Sequence, residues 1–159
     1  SDIRAGSVDI IVSELFAHFL VGEVGLHPVT LARQRFMKDP GGLVLPSVAT
    51  LKLAPFEDTA LATNARSRQS FWTTKDFCGL DLSAALPFAV EQALKETYVG
   101  HVDPATLLLD PRDAPGFDLD LQTPTDPETW RNIKFEVKFP PRSRDAVLDG
   151  LCGWWDATF

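Results

Sequence analysis

The sequence predicts an α+β fold, with a short α/β unit leading and mostly antiparallel β-structure behind it. Three observations predict it. Val8-Asp9-Ile10-Ile11-Val12 is a β-branched, nearly all-apolar run, and a helical pattern follows from Pro28 to Met37. Such a run reads as a strand of a parallel sheet, buried on both faces. Later, Ile133, Phe135, Val137 and Phe139 alternate with Lys134, Glu136 and Lys138, the period of two of a strand with one wet face. Between these lies one helical excursion, Ser83 to Tyr98, with Phe88, Val90, Ala93, Leu94 and Tyr98 in an approximate stripe.

Taken in order, the first strand ends in Ser13-Glu14, at the carboxyl edge where open α/β sheets bind ligands. A loop runs from Leu15 to Glu23. Pro28 suits a first helical turn, and Val29, Ala32, Arg33 and Phe36 recur at helical spacing. Lys38-Asp39-Pro40-Gly41-Gly42 ends that helix, through proline and then glycines that permit positive φ. Gly42 to Pro55 reads as two short strands with a kink at Pro46. Ala60 to Gln69 is a short helix or a loop, and an aromatic stretch opens at Phe71-Trp72. Ser83 is the candidate N-cap of the next helix, and Pro87 is tolerated only in its first turn. Asp103-Pro104 begins a turn. Phe117, Leu119 and Leu121 alternate with Asp118 and Asp120, and Val147 to Phe159 is a last apolar strand. The first strand has parallel character yet the chain offers it no parallel neighbour, so its sheet partners are expected from outside these residues.

Composition narrows the function classes. The 159 residues are 45% apolar, enough for one domain with a real core. The longest apolar run, near Leu15 to Val21, is interrupted by His18 and falls far short of the ~20 residues a membrane span needs. Fifteen Lys and Arg against 22 Asp and Glu leave a net charge of −7. That argues against phosphate-driven nucleic-acid binding and favours cationic partners. Cys78 and Cys152 lack metal-ligand spacing and read as free thiols of a reduced, intracellular chain. The opening Ser-Asp-Ile-Arg has no signal-peptide pattern. The one methionine is Met37, so the chain is expected to be part of something longer.

The informative chemistry lies at Glu14 and Glu23. Two loop glutamates nine residues apart are ordinarily just solvated. Here Glu14 follows directly on the strand, and the intervening loop is apolar (Leu15, Phe16, Ala17, Phe19, Leu20, Val21). Carboxylates buried on such a loop are costly unless a cation meets them. A guanidinium matches carboxylates through planar N–H forks. It stays protonated and is a poor nucleophile. Two carboxylates orient it and draw its charge toward the nitrogens they hold, leaving the free nitrogen to face an electrophilic methyl group such as a sulfonium's.

These residues resemble the S-adenosylmethionine-dependent protein arginine N-methyltransferases, whose double-E loop runs strand, Ser-Glu, eight residues, Glu. Here it reads Val8 to Val12, then Ser13-Glu14 through Glu23. The resemblance continues through Ala32 to Lys38, Pro40 to Pro46, Leu53 to Asp58, Phe71-Trp72, Phe77 to Ser83 and Leu148 to Phe159. It implies the C-terminal end of a Rossmann-type methyltransferase domain (residues 1–42), followed by an antiparallel β-barrel (residues 43–159). A helical dimerisation arm at about 71–108 would grip a second subunit. It also implies Glu14 and Glu23 as the catalytic guanidinium clamp, Ser13 near the cofactor and His18 on the substrate side. The implied methyl donor is S-adenosyl-L-methionine, with no metal. The implied partners are arginine-containing proteins with basic Arg/Gly-rich segments and a second copy of the chain, with neither nucleic acid nor membrane. The implied location is the cytoplasm or nucleus.

The sequence departs from that family in two ways. No G-x-G-x-x-G string occurs, and neither the N-terminal helix nor the His-bearing loop expected of the family is found. Phe16, Ala17 and His18 stand where many dimethylating members carry Met, Gly and Tyr. Glu14-Leu15-Phe16, Gly22-Glu23 and Trp154-Trp155-Asp156 are similar to the monomethylating, type III branch. Leu53 to Phe56 and Gly79 to Ser83 are similar to coactivator-type dimethylating members, and the balance favours the former. The competing expectation is a non-catalytic regulatory or scaffold subunit that dimerises with an active enzyme. His18 amid Phe, Leu and Val reads more readily as a hydrogen-bonded packing residue, and His27 and His101 as surface. Trp154 and Trp155 alternate, one toward the core and one toward an interface.

Overall fold

A computed structural model of the chain describes residues 3–22, 26–95, 97–123, 126–141 and 145–159. Strand β1 (Ile10–Val12) leads through the Ser13 loop to helix α1 (Leu26–Phe36) and then to β2 (Leu43–Leu45). β1 and β2 pair in parallel, Ile10 opposite Leu43 and Val12 opposite Leu45, so these elements form a βαβ unit. The parallel neighbour expected from outside is therefore present within the chain. β1 also differs in burial, since Ile10 and Val12 are exposed and only Ile11 is half-buried. Among the described strands β1 has one neighbour, and its apolar side chains lack the cover that a wider sheet would supply.

Between α1 and β2 the chain turns within six residues. Gly41 takes φ +107°, open to glycine at no steric cost. At Gly42 a Cβ would lie 2.1 Å from Met37 Cγ, so only a glycine lets β2 start against that buried side chain.

β3 (Val48–Phe56) is the centre of an antiparallel sheet ordered β4-β3-β5, with β4 over Gly116–Asp120 and β5 over Gly150–Thr158. Val48 faces Asp120 on one side and Thr158 on the other. Ala49 and Leu51 turn from β3 into the core, and Ala54, on the opposite face of the strand, is buried as well. One core joins this sheet to the βαβ unit: Leu20, Leu26, Val29, Met37, Val44, Leu51 and Leu119 pack in a single cluster. The two units are thus not separate bodies linked by a tether.

The residues expected to form a strand at Ile133 to Phe139 belong to no strand. The alternation itself persists: Ile133, Phe135 and Val137 are half-buried, Lys134, Glu136 and Lys138 exposed, and Phe135 stacks on Phe117 with centroids 5.3 Å apart. A period of two encodes which side chains are covered but supplies no ladder partner.

The helical excursion fills the connection from β3 to β4. Helix α2 (Thr59–Ser70) settles the open reading of residues 60–69 and is capped by Asp58, whose carboxylate accepts from Leu61 N at 2.9 Å. After short 3-10 turns over Phe71–Thr73 and Leu82–Ala85 comes α3 (Leu86–Lys95). The expected cap at Ser83 is corrected: Asp81 caps, its carboxylate accepting from Ser83 N at 2.8 Å. Pro87 accounts for the later start, because its ring conflicts with an α-helical carbonyl four residues earlier, at Ser83. Leu86 N bonds Ser83 O in 3-10 fashion instead. The helix also ends at Lys95, short of Tyr98, and the Leu94 side chain lies outside what is described.

Candidate functional site

Ser13 and Glu14 sit where the sequence placed them, immediately past β1. Ser13 N donates to Leu45 O at 3.0 Å, which extends the pairing with β2 by one bond. Ser13 Oγ accepts from Leu15 N at 3.3 Å. The Glu14 side chain is exposed, and no hydrogen bond or ion pair holds its carboxylate among the described residues. The sequence argument had that carboxylate buried and in need of a cation. The structure corrects the burial: Phe16, Phe19 and Leu20 fold away from it, and Glu14 stays in solvent beside the exposed Leu15, free to accept a donor. Glu23 lies outside the described residues.

The loop after Glu14 is a tight reversal. Ala17 bridges Leu20, and Phe19 and Leu20 both take positive φ, 50° and 61°. Such backbone is disfavoured for residues with a Cβ and persists only where surroundings over-determine it. Here Leu20 is fully buried, and Phe19 lies so close to Gly153 of β5 that a Cβ there would be 2.6 Å from its ring. Phe16 packs edge to face on Trp155 of the same strand. The reversal sends Phe19 and Leu20 inward and His18 outward. His18 is exposed, so the reading of it as a hydrogen-bonded packing residue is corrected.

Other expectations resolve as follows. Trp154 and Trp155 are both half-buried, and Trp155 is the one that joins the core. His101 is exposed. His27, expected at the surface, is half-buried on α1 with its Nδ1 shielded from solvent and unpartnered. Cys78 and Cys152 are unpaired, and burial pushes the Cys152 thiol up. Among the described residues no group of three His, Cys, Asp or Glu side chains is placed to hold a metal ion, and no helix is long and apolar enough to cross a membrane.

Two residues that sequence reading passed over tie the βαβ unit that carries this loop to the chain that follows β4. Trp130 Nε1 donates to Thr30 Oγ1 of α1 at 2.8 Å. Gln122 bonds the backbone of β2 at two points, accepting from Val44 N and donating to Gly42 O, each at 2.8 Å. Neither has a local pattern, since each acts on a residue some eighty to a hundred positions away. Asp120 shapes the turn before Gln122. Its carboxyl is held below the usual range by its bond from the Thr123 hydroxyl, by the Thr123 and Gln122 N–H groups and by the nearby Arg33 guanidinium. A cleft of about 710 Å³ between α2 and α3, lined by Leu61, Trp72, Phe88 and Tyr98, shares no residue with the Ser13 loop.

No protein-family model matches the chain. Curated relatives do. Protein arginine N-methyltransferase 6 of Danio rerio is 37% identical over 157 residues, covering 98% of this chain and 42% of that protein. Its Xenopus laevis namesake is 34% identical over 154 residues, covering 96% and 43%. Probable histone-arginine methyltransferase 1.3 of Arabidopsis thaliana is 30% identical over 151 residues, covering 95% and 27%. The chain thus spans less than half the length of these relatives. Among solved structures, the Trypanosoma brucei PRMT1 enzyme–prozyme heterotetrameric complex with AdoHcy matches with TM-score 0.59 and 21% identity, over 80% of this chain and 37% of that one. Arabidopsis thaliana protein arginine methyltransferase 10 matches with TM-score 0.59 and 23% identity, over 77% and 38%. At such identities the structures attest the shared fold alone. Along nearly its whole length, this chain is a relative of one segment of the protein arginine N-methyltransferases.

Proposed function

We propose that the chain is the guanidinium-clamping part of an enzyme that transfers a methyl group from S-adenosylmethionine to arginine in protein substrates. The observation that carries this reading is the free, exposed carboxylate of Glu14 at the carboxyl end of β1, on a loop fastened to β5, in a chain related to such enzymes. Glu14 and Glu23 form the clamp. A carboxylate accepts two N–H bonds from a guanidinium side by side, which fixes the plane of the group and its charge. An acidic chain also draws basic Arg/Gly-rich segments toward that clamp. His18, exposed on the same loop, is assigned to the substrate side.

S-adenosylmethionine supplies the electrophilic methyl group. The described residues do not form a site for it. Ser13, the one candidate beside the cofactor, offers a single half-buried hydroxyl that also accepts the Leu15 amide, and no G-x-G-x-x-G turn occurs in the sequence to cradle an adenosyl group. We therefore assign the cofactor to the part of the enzyme beyond these residues. Residues 1–42 close its methyltransferase domain, with β2 at the joint, and residues 43–159 contribute three strands of a β-barrel. The excursion at about 71–108, with α2 packed beside it, is the arm of a homodimer that works in the cytoplasm or nucleus.

The test is methylation of an arginine peptide by the intact enzyme, with product mass read out. Glu14→Gln is nearly isosteric but removes the charge and turns an N–H toward a group that only donates. We expect turnover to fall about a hundred- to thousandfold, as for other single electrostatic catalytic groups. Unchanged turnover in Glu14→Gln returns these glutamates to ordinary loop residues. An intact protein that methylates nothing yet activates an active partner on dimerising would establish the regulatory-subunit reading instead.

A further inference from the structure

We propose that Gln122 is a positioning residue for the Glu14 carboxylate, acting as a one-residue surrogate strand on the outer edge of β2. This rests on the clamp reading above. In a parallel ladder one residue donates to the carbonyl before its opposite number and accepts from the N–H after it. Gln122 does both with its side-chain amide. Nε2 donates to Gly42 O, and Oε1 accepts from Val44 N, on either side of Leu43. The other edge of β2 is taken by β1, since Leu43 N donates to Asp9 O at 2.8 Å and Leu45 O accepts from Ser13 N.

β2 is therefore held from both sides, and the two sides belong to different parts of the fold. Gln122 lies two residues past the end of β4 of the antiparallel sheet, and the intervening Leu121 N donates to Ser47 O at 2.9 Å. Asp120 Oδ1 accepts from the N–H groups of Gln122 and Thr123, which bends the chain so that the Gln122 side chain meets the strand edge. From there the connection is short. Gln122 sets Gly42 and Val44, β2 sets the register of β1, and the Leu45–Ser13 bond sets the residue that precedes Glu14. Only the first link is a side chain, the Gln122 amide; the others are backbone hydrogen bonds. Val44 is fully buried, and without Gln122 its N–H would be unmatched away from water. The device also blocks a strand edge that would otherwise invite foreign pairing.

The experiment combines amide hydrogen exchange with turnover in the intact enzyme. Gln122→Leu removes both bonds. Gln122→Glu keeps the acceptor for Val44 N and, when ionised, loses the donor to Gly42 O. In Gln122→Leu, we expect the Val44 amide to exchange roughly ten- to a hundredfold faster, and the Ser13 amide several-fold faster. The β3–β5 amides should be unchanged. We expect Gln122→Glu to show the same pattern, with protection returning as pH falls and the carboxyl regains a proton to donate; it also serves if the leucine variant fails to fold. Turnover should fall about tenfold at unchanged cofactor affinity, and combining Gln122→Leu with Glu14→Gln should cost no more than Glu14→Gln alone, as for residues acting as one unit. Unchanged Ser13 exchange, or fully additive losses, would overturn the proposal. If the wild-type enzyme methylates no arginine, the clamp reading falls, and Ser13 exchange alone then decides whether Gln122 sets the loop.

Discussion

Phe16 meets Trp155 edge to face, ring centroids 5.4 Å apart and planes inclined by 69°. The pair fastens the loop carrying Glu14 to the last strand of the antiparallel sheet, across 139 positions of sequence. Phe19 lies against Gly153 on the same strand, so two aromatic rings of one loop bear on β5. The loop reaches solvent at Glu14, Leu15 and His18, while Phe16 and Phe19 between and beside them are anchored on that strand.

That pairing should be measurable as a coupling. A double-mutant cycle of Phe16→Leu and Trp155→Leu, followed by urea unfolding, should return an interaction energy of about 0.5–1.5 kcal/mol. Additive single effects would mean that the rings merely share a neighbourhood.

Leu20 is fully buried whereas Leu15, five residues earlier, is 67% exposed. Truncating Leu20 to alanine should cost about 2–5 kcal/mol, through lost burial and the cavity left behind. Leu15→Ala should stay within about 0.5 kcal/mol. Equal losses at the two sites would show that the reversal at Phe19 and Leu20 is misplaced.

Asp110 offers a pH prediction. Its carboxyl accepts from Arg112 Nε at 3.0 Å, from Arg112 Nη2 at 2.6 Å and from Arg112 N at 2.9 Å. These bonds, the guanidinium's first, bring it down to about 2. Because the folded value is depressed, the contribution is full above the ordinary carboxylate range and is lost as pH falls through about 2. Carboxyl NMR titration should place the Asp110 midpoint there. Arg112→Ala should move it up toward, though not to, the ordinary 3.8, since the backbone N–H remains. A midpoint indifferent to Arg112→Ala would reject the assigned cause.

Calorimetric titration of these 159 residues with S-adenosylmethionine should show no appreciable binding, because the glycine loop and ribose-binding acid of a nucleotide fold are not among them. Micromolar affinity would refute the division of labour proposed between this chain and the rest of the enzyme.

Phe88 on α3 is 71% exposed, with Tyr98 and Val99 also exposed beyond the helix. If this face meets a second subunit, Phe88→Asp should yield a monomer by light scattering while the thermal midpoint of the fold is nearly kept. An aspartate variant that stays dimeric would remove the excursion from the interface.

Several elements were legible in the residues for local reasons. The opening strand shows in Val8 to Val12 and the helix after it in the stripe from Val29 to Phe36, and the stop at Lys38 to Gly42 is plain in proline and glycine. Strand β5 and the alternation of β4 are equally local, as is the place of Glu14 just beyond a strand. The capping of the helical excursion was half legible: a helix was expected, but Pro87 moved its start and Asp81 took the role expected of Ser83.

What tertiary structure decided was which strands meet and which side chains are covered. Three residues, Leu43 to Leu45, are too few to declare a parallel partner, and only the return of α1 brings them beside β1. The alternation from Ile133 to Phe139 marks faces correctly yet acquires no ladder, since pairing depends on a second strand arriving in register. Glu14 was expected buried because its neighbours are apolar, but Phe16 and Phe19 found Trp155 and Gly153, and the carboxylate stayed outside. Gln122 looked like any polar residue after a strand. Its role exists only because the fold delivers the open edge of β2 to its amide. Local pattern determines what each segment prefers to be, whereas contacts across eighty or more positions determine what it touches, and the accessibility of Glu14 depends on those contacts.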